Sequence, residues 1–168
     1  MTTKLENLKD LFLEQGRELY DAAKQEQKEL PGIQKQVTNQ QLRKIIDRQL
    51  DVANTEIRYL DEAFKKLNAS AQGEKNHCCE SIIKQTKSLI DRSKDAEVRD
   101  AVIVNSIQRL NHNKITGFGS LTSYAKEIGH KEIADSLHKA LEQEKGIDQD
   151  LSNLAEKEIN RKAVSMAL

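Results

Sequence analysis

The chain has 168 residues with 27 basic and 27 acidic side chains, so its formal net charge at pH 7 is zero. No overall electric field therefore attracts nucleic acid or anionic lipid, and neither is expected as a partner. No uncharged segment approaches the roughly 20 residues that span a bilayer, and no signal peptide pattern precedes Leu5, so a cytoplasmic location is expected.

The composition favours helices packed as one domain. Aromatic residues make up 4% of the chain, 32% of the residues are charged, and there is one proline and no tryptophan. This composition is typical of long helices with exposed charged faces. A chain of this length can bury one core, so a single domain over residues 1–168 is expected.

Apolar residues recur at the three- and four-residue spacing of an amphipathic helix in five segments. The spacing predicts long helices near residues 3–30, 39–68, 96–128 and 131–162, and a short helix near 77–93. The second and third long helices are joined by a long connection that carries the short helix. This order predicts an all-α, antiparallel four-helix bundle with a crossover and a short extra helix.

Local signals mark the predicted helix ends. Pro31 has no amide proton and disfavours helix at the residue before it, so the first helix is expected to kink or stop there. The segment Thr38-Asn-Gln-Gln41 has the pattern of a capping box and predicts the start of the second long helix. Asp95 is placed to cap the third long helix, and Gly129 to end it.

Two glycines lie inside the third long helix, at positions 117 and 119. A glycine weakens a helix by about 1 kcal/mol and usually marks the close approach of another backbone. Gly117 and Gly119 are therefore expected to contact the second long helix, the fourth long helix or a second subunit.

Cys78 and Cys79 are adjacent at the start of the short helix. This spacing does not suit a metal clamp of the CxxC kind, and a disulfide between neighbours is strained. Two reduced, partly buried thiols are expected, and no base is evident that would activate either one.

The fourth long helix carries carboxylates within its apolar stripe. The stripe reads Ile133, Leu137, Leu141, Glu144, Asp148, Leu151 and Ala155. Glu144 and Asp148 are therefore predicted to face the core, and Glu56 has an equivalent place in the second long helix. Burying a carboxylate costs several kcal/mol unless a metal, a cation or several donors meet it. Either the facing helices supply such a partner, or the bundle is open to water at this level.

Four segments of the chain have a recognisable pattern. They are Leu19–Gln25 (LYDAAKQ), Glu97–Ala101 (EVRDA), His112 with Ile115 and Gly119, and Glu142–Lys145 (EQEK) followed by Asp148. With them the chain resembles the YciF/YciE-like branch of the ferritin-like superfamily over nearly its whole length. The resemblance implies a ferritin-like bundle, in which carboxylates and histidines on four helices hold two irons.

The chain departs from that family pattern at the metal-binding positions. Ala23 stands where relatives have Glu, and the HLEET pattern of the second helix becomes Gln49–Ala53 (QLDVA). The EHYE pattern of the third helix becomes Asn111–Lys114 (NHNK), and Gln143 replaces a Glu in the fourth. The resemblance therefore implies a metal-binding set that is depleted on three of the four helices.

Lys114 is the most informative of these changes because it places a cation on the helix expected to face the acids. Its ammonium could neutralise the acids in place of a metal, with Asn111 and Gln49 in the same pocket. Alternatively, the side chain extends to solvent. The polar cluster predicted for the inward alternative consists of Glu56, Asn111, Lys114, Glu144 and Asp148.

Two functions fit this reading. The first is a non-enzymatic or metal-poor relative of the YciF-like proteins, with a degenerate di-iron site, no cofactor, no catalytic residue and, by resemblance, a role in stress response. The second is a metal-dependent oxidase or iron-handling protein with iron or manganese held by Glu26, Glu56, Glu144 and Asp148. In both, His112 is expected to be structural rather than a ligand. A module that binds other proteins through its helical faces remains a third possibility.

A homodimer is expected because a long, narrow bundle leaves an outer stripe of side chains available for contact. Ile103, Leu110 and Leu121 of the third long helix would form the contact, and the small residues Ser106 and Gly117 would let another helix approach closely.

Overall fold

The computed structural model describes residues 4–165, and all regular structure in that part of the chain is helical. The elements are α1 (Leu8–Gln34), α2 (Gln40–Lys66), α3 (His77–Arg92), α4 (Ala96–Glu127), α5 (Lys131–Leu154), a π-helical turn (Ala155–Ile159) and α6 (Asn160–Ser165). The predicted fold class is confirmed, since four long helices form a bundle and the crossover carries a short helix. Among residues 4–165, none of the helices combines the length and apolarity that crossing a membrane requires.

The four long helices form a ring in the order α1, α2, α5, α4. Neighbouring helices run antiparallel, as the ion pairs between α2 and α5 illustrate: Arg48 pairs with Asp150 and Lys66 pairs with Glu132. The crossover, residues 67–95, makes α2 and α4 run in the same direction at opposite corners. Helix α3 packs on the outside of α4 and α1.

The interior of the bundle consists of two apolar clusters separated by a layer of polar side chains. Toward one end the core contains Leu30, Leu42, Ile46, Ile103, Ile107 and Leu151. Toward the other end it contains Phe12, Leu60, Phe64, Phe118 and Leu137. Between them lie six buried residues, here called the polar layer: Glu26, Gln49, Glu56, Asn111, Lys114 and Glu144.

Helix α1 differs from its prediction at both ends. It continues through Pro31 to Gln34, because Leu30 and Ile33 are both buried and their packing outweighs the missing amide of the proline. It begins at Leu8, where the side chain of Asn7 accepts a hydrogen bond from the amide of Asp10. Residue 3, the predicted start, lies outside the described residues.

The other helix ends agree with the sequence patterns in part. Asp95 caps α4 and Gly129 follows its end with a φ of 83°, as predicted. The cap of α2 is Asn39 rather than Thr38, whose hydroxyl donates to a carboxylate of α4 instead. The last long helix does not run as a regular α-helix to residue 162, because a π-helical turn interrupts it after Leu154.

The outer stripe predicted for a dimer contact is wrong. Ile103, Leu110 and Leu121 are buried inside this one chain, and so is Ser106. The reason is that α4 is covered on several sides, since α3, the π-helical turn and α6 pack on it in addition to α1 and α5.

Gly117 of α4 has a close neighbour, which differs from those predicted, whereas Gly119 has only ordinary contact with a predicted one. A Cβ atom at Gly117 would lie 2.6 Å from the Leu19 side chain, so this glycine packs against α1. A Cβ atom at Gly119 would lie 4.0 Å from Leu141 on α5, which is the predicted fourth long helix.

Candidate functional site

Lys114 lies at the centre of the polar layer. Its side chain is 1% exposed, and its Nζ atom lies 2.7 Å from Glu26 Oε2, 2.8 Å from Glu144 Oε1 and 3.0 Å from Glu56 Oε2. The three acids stand on α1, α5 and α2, and the lysine stands on α4. One ammonium group therefore joins all four helices of the bundle, and the lysine side chain does not extend to solvent.

Two amide side chains complete the polar layer. Gln49 donates through Nε2 to Glu26 Oε2 at 2.9 Å and to Glu144 Oε1 at 3.0 Å. Asn111 donates through Nδ2 to Gln49 Oε1 at 3.0 Å and also to Glu144 Oε2. These bonds orient the carboxylates, because each amide is itself buried and has no access to water.

The polar layer has more acids than cations. Three carboxylates and one ammonium would leave two net negative charges in the interior, where an uncompensated charge is strongly unfavourable. Burial raises the pKa of Glu26, and it raises the pKa of Glu56 well above its usual value; Lys114 opposes both shifts. The charges of Glu144 and Glu26 add to the rise in the pKa of Glu56, which favours a proton on this carboxyl group.

The pKa of Lys114 moves in the direction that keeps it charged. Burial alone would lower this pKa, but the charges of Glu144, Glu26 and Glu56 outweigh burial and hold it well above its usual value. Burial is the largest cause of the raised pKa values of Glu26 and Glu56, whereas the pKa of Lys114 is raised by the excess of negative charge around it. Protonation of carboxyl groups relieves that excess.

Three buried oxygen atoms in the polar layer accept no hydrogen bond: Glu26 Oε1, Glu56 Oε1 and Asn111 Oδ1. A proton on either carboxyl group converts an acceptor into a donor, so protonation reduces the number of oxygens that need a donor. The hydrogen-bond inventory and the charge balance therefore both favour neutral carboxyl groups beside the ammonium.

Asp148 is not part of the polar layer, which corrects the prediction for this residue. Its side chain is 21% exposed, and Oδ2 lies 3.2 Å from Nε2 of His112 at the surface. Oδ1 accepts a hydrogen bond from Gln108 at 3.3 Å. The inward face of α5 continues from Glu144 to Ile147, three residues later, so the residue after Ile147 points toward the edge of the helix.

Glu26 is the residue that the predicted cluster omitted. It is fully buried on α1 and bonds Lys114 directly. Its position was readable from the sequence, because it lies four residues after Ala22 and four before Leu30, both buried on the same face. In the prediction from sequence, Glu26 is a ligand of the metal-binding alternative only.

The polar layer does not fit a di-metal centre. Such centres use about four carboxylates, some of which bridge the two metals. Here three carboxylates converge, and the ammonium group of Lys114 occupies the point between them. Within residues 4–165, no group of three or more His, Cys, Asp or Glu side chains is arranged to hold a metal ion.

The polar layer is also closed to solvent. Each of its six side chains is at most 1% exposed. The residues that line five of the grooves on the surface formed by residues 4–165 include no member of the layer. A substrate therefore has no path to these groups in this conformation.

The two cysteines differ from each other. Both are free thiols; Cys79 is buried, as predicted, whereas Cys78 is exposed. Burial raises the pKa of the Cys79 thiol, with a further contribution from the charge of Glu26. Because the thiolate is the reactive form, Cys79 is an inert part of the core.

The chain is similar to proteins of known sequence and structure. Protein YciF of Escherichia coli (strain K12) is 26% identical over 164 residues, which cover 97% of this chain and 99% of that protein. The crystal structure of the E. coli stress protein YciF matches with a TM-score of 0.87 at 25% identity, covering 93% of this chain and 99% of that chain. The structure of YcfI from Rhodopseudomonas palustris matches with a TM-score of 0.86 at 30% identity, covering 90% and 97% respectively.

The resemblance drawn from the four sequence segments is thus confirmed over nearly the whole chain. A family model described as a domain of unknown function, DUF892, matches residues 7–164. The match includes all four long helices and the crossover. The chain therefore belongs to the DUF892 family, of which it is a YciF-like member.

Proposed function

We propose that this protein is a non-enzymatic, metal-independent member of the YciF-like family, a stress-related helical bundle whose di-iron site has degenerated. The observation that carries the proposal is the position of Lys114. Its Nζ atom lies within 3.0 Å of carboxylates from three other helices. The ammonium thus provides the positive charge that a metal would supply in a ferritin-like relative.

The residues around Lys114 that differ from the family's metal-binding pattern support the same function. Neutral amides, Gln49 and Asn111, donate hydrogen bonds to the carboxylates instead of competing for a metal. Asp148, one of the four acids of the metal-binding alternative, pairs with His112 at the surface. A set of acids that is reduced to three and already bonded to a cation has lost both the charge and the coordination positions of a di-iron site.

The absence of access supports a non-catalytic role. An enzyme needs a pocket in which substrate meets the reactive groups, and the side chains of the polar layer are buried between the two apolar clusters. The E. coli relative is described as a stress protein, and a structural role has been suggested for the R. palustris relative. The proposed role for this chain combines these two descriptions.

The alternative, a metal-dependent oxidase or iron-handling protein, has one observation in its favour. Carboxylates from three different helices converge, and Glu26 and Glu56 each retain an oxygen atom without a hydrogen-bond partner. A metal that displaced the lysine could use those oxygens. This alternative requires Lys114 to lose its proton or leave the centre, and the surrounding negative charge opposes both.

Metal analysis of protein purified without chelator tests the proposal. We expect far less than one equivalent of iron or manganese per chain, and a thermal midpoint that neither metal changes. About two tightly held equivalents per chain, the content of a di-iron bundle, would establish the alternative instead.

The variant Lys114→Glu provides a second test because it restores an acid on α4. We expect it to be unstable in chelator and to be stabilised by added iron or manganese, since binding to the folded state alone raises stability. Wild-type protein in the same buffers is the reference. A variant that folds without metal and gains nothing from it would argue against the replacement of a metal by Lys114.

A further inference from the structure

A groove of about 630 Å³ opens at the surface between the N-terminal half of α2 and the end of α5 with the π-helical turn. Ile45 and Leu154, both largely buried, contribute apolar surface to it, and Lys44, Arg48 and Lys157 contribute cationic groups. Its volume falls in the range of roughly 300–1,000 Å³ that small-molecule sites occupy. The groove lies apart from the polar layer and shares no residue with it.

The acids that line this groove are already paired. Asp150 bonds Arg48 at 2.7 Å, and Glu158 bonds both Lys162 at 2.6 Å and the side chain of Asn39 at 2.9 Å. The carboxylate charges facing the groove are therefore compensated within the protein itself.

Two of the lining cations have no such partner. Neither Lys44 nor Lys157 makes an ion pair or a side-chain hydrogen bond within the part of the chain that the structure describes. They stand on different walls of the groove, Lys44 on α2 and Lys157 on the π-helical turn. The uncompensated charge of the groove is thus positive and is presented from two sides.

The π-helical turn is what brings Lys157 to this place. The turn inserts one extra residue into the helical repeat, which changes the direction of the side chains that follow. Ala155 and Ile159 are buried and fix the turn against the core, while Lys157 is exposed beside the groove. Turns of this kind are rare and frequently occur at functional sites.

We propose that this groove binds a small organic anion that carries two linked phosphates beside an apolar or planar part, as a nucleoside diphosphate does. The two free ammonium groups would contact the phosphates, for which lysine acts as a point charge. Ile45 and Leu154 would contact the apolar part. The proposal does not depend on the function proposed for the polar layer.

Calorimetric titration with adenosine diphosphate, inorganic diphosphate and adenosine tests the assignment. We expect both anions to bind, the nucleotide more tightly than inorganic diphosphate, and adenosine not to bind. The affinity should fall as salt is added, because the contacts are exposed charges. The double variant Lys44→Ala/Lys157→Ala should weaken nucleotide binding by about tenfold or more.

A matched control separates a site from general charge attraction. The double variant Lys65→Ala/Lys139→Ala removes two exposed lysines that lie outside the groove, and it should bind the nucleotide as wild type does. Circular dichroism establishes that both double variants are folded. Equal weakening in the two double variants, no saturable binding of either anion, or no preference for the nucleotide would overturn the proposal.

Discussion

Lys114 determines how the centre of the bundle is neutralised. A buried ion pair contributes little net stability, but removing one partner leaves the other charge buried and uncompensated. In this protein one lysine forms ion pairs with three acids, so its removal leaves Glu26, Glu56 and Glu144 without a cation. The residue therefore has a far greater influence on folding than a surface lysine.

The variant Lys114→Met should lower the free energy of unfolding at pH 7 by about 3–5 kcal/mol. The loss should be smaller in acid, where the three carboxyl groups can take up protons. Lys139→Met, an exposed change on α5, should stay within about 0.5 kcal/mol of wild type. Urea unfolding followed by circular dichroism measures all three proteins. Equal midpoints for the two variants would show that the lysine is not needed for charge balance.

The members of the polar layer illustrate what could be predicted residue by residue. The apolar stripes predict an inward position for Glu56 and Glu144, and the resemblance to the family's metal-binding pattern points to Asn111 and Lys114. The structure brings the four residues together. Asp148 was misplaced because a helix stripe can continue at either three or four residues, and both choices are periodic. Only packing against α2 and α4, which favours Ile147, decides between them.

At the scale of elements, the EVRDA segment (Glu97–Ala101) connects two helices, a role that its sequence pattern does not predict. Asp100 of α4 is buried and accepts hydrogen bonds from the amide of Thr38 at 2.9 Å, its hydroxyl at 2.6 Å and the amide of Asn39 at 2.9 Å. The carboxylate thus ties α4 to the connection that leads into α2. A negative charge at that place also favours the N-terminus of α2.

Replacing Asp100 by Ala should reduce stability by about 2–4 kcal/mol, because hydrogen bonds to a charged group contribute about 1.5–3 kcal/mol each and are not additive. Asp135→Ala, at an exposed position of α5, is the matched control and should have little effect. Thermal unfolding provides the comparison. If the two variants lost the same small amount, the connection between α4 and α2 would be held by packing alone.

Two glycines of the bundle offer a direct test of helix packing. A Cβ atom at Gly117 would lie 2.6 Å from Leu19, whereas one at Gly146 would meet nothing within 4 Å. Gly117→Ala should therefore destabilise the protein by about 1–3 kcal/mol through overpacking. Gly146→Ala should stabilise it by up to about 1 kcal/mol, since alanine favours helix. Chemical unfolding of both variants measures the difference, and two changes of the same sign would contradict the packing of α1 on α4.

The existence of all five predicted helices followed from periodicity, whereas some of their ends did not. Local rules placed a stop at Pro31, but the burial of Leu30 and Ile33 on either side of it continues α1. The π-helical turn after Leu154 has no local signal, because it depends on how Ala155 and Ile159 pack against the core. Tertiary packing therefore decides where α1 ends and where the π-helical turn occurs, and local sequence rules do not predict either position.

At the scale of the whole molecule, the expected homodimer stays a prediction without an assigned surface. The large apolar side chains that are exposed within residues 4–165 are Leu5, Val98 and Val164, and they do not form a stripe. Light scattering should give about twice the chain mass of 19.1 kDa if the prediction is correct. A mass of one chain at high concentration would contradict it.

The stability of the whole bundle should depend on pH through the polar layer. The raised pKa values of Glu26 and Glu56 mean that the folded state binds more protons than the unfolded state above the usual carboxyl pKa of about 4.3. The free energy of unfolding must then decrease as pH rises through the folded pKa values. The stabilisation is complete below about pH 4.3 and is lost on the alkaline side. The raised pKa of Lys114 adds a further loss only at strongly alkaline pH.

The variant Glu56→Gln tests this linkage, because glutamine has nearly the shape of the protonated acid but does not titrate. Its side-chain carbonyl can still accept a hydrogen bond from Lys114, as Oε2 of Glu56 does. We expect the free energy of unfolding of the variant to match that of wild type in mild acid and to exceed it at alkaline pH, so that its stability profile is flatter.

Glu127→Gln, an exposed change on α4, is the control and should keep the wild-type profile. Urea unfolding at a series of pH values from mild acid to mild base provides the profiles. If Glu56→Gln kept the wild-type dependence on pH, the proton would have to reside elsewhere in the polar layer, and Glu26 would be the next carboxyl group to replace.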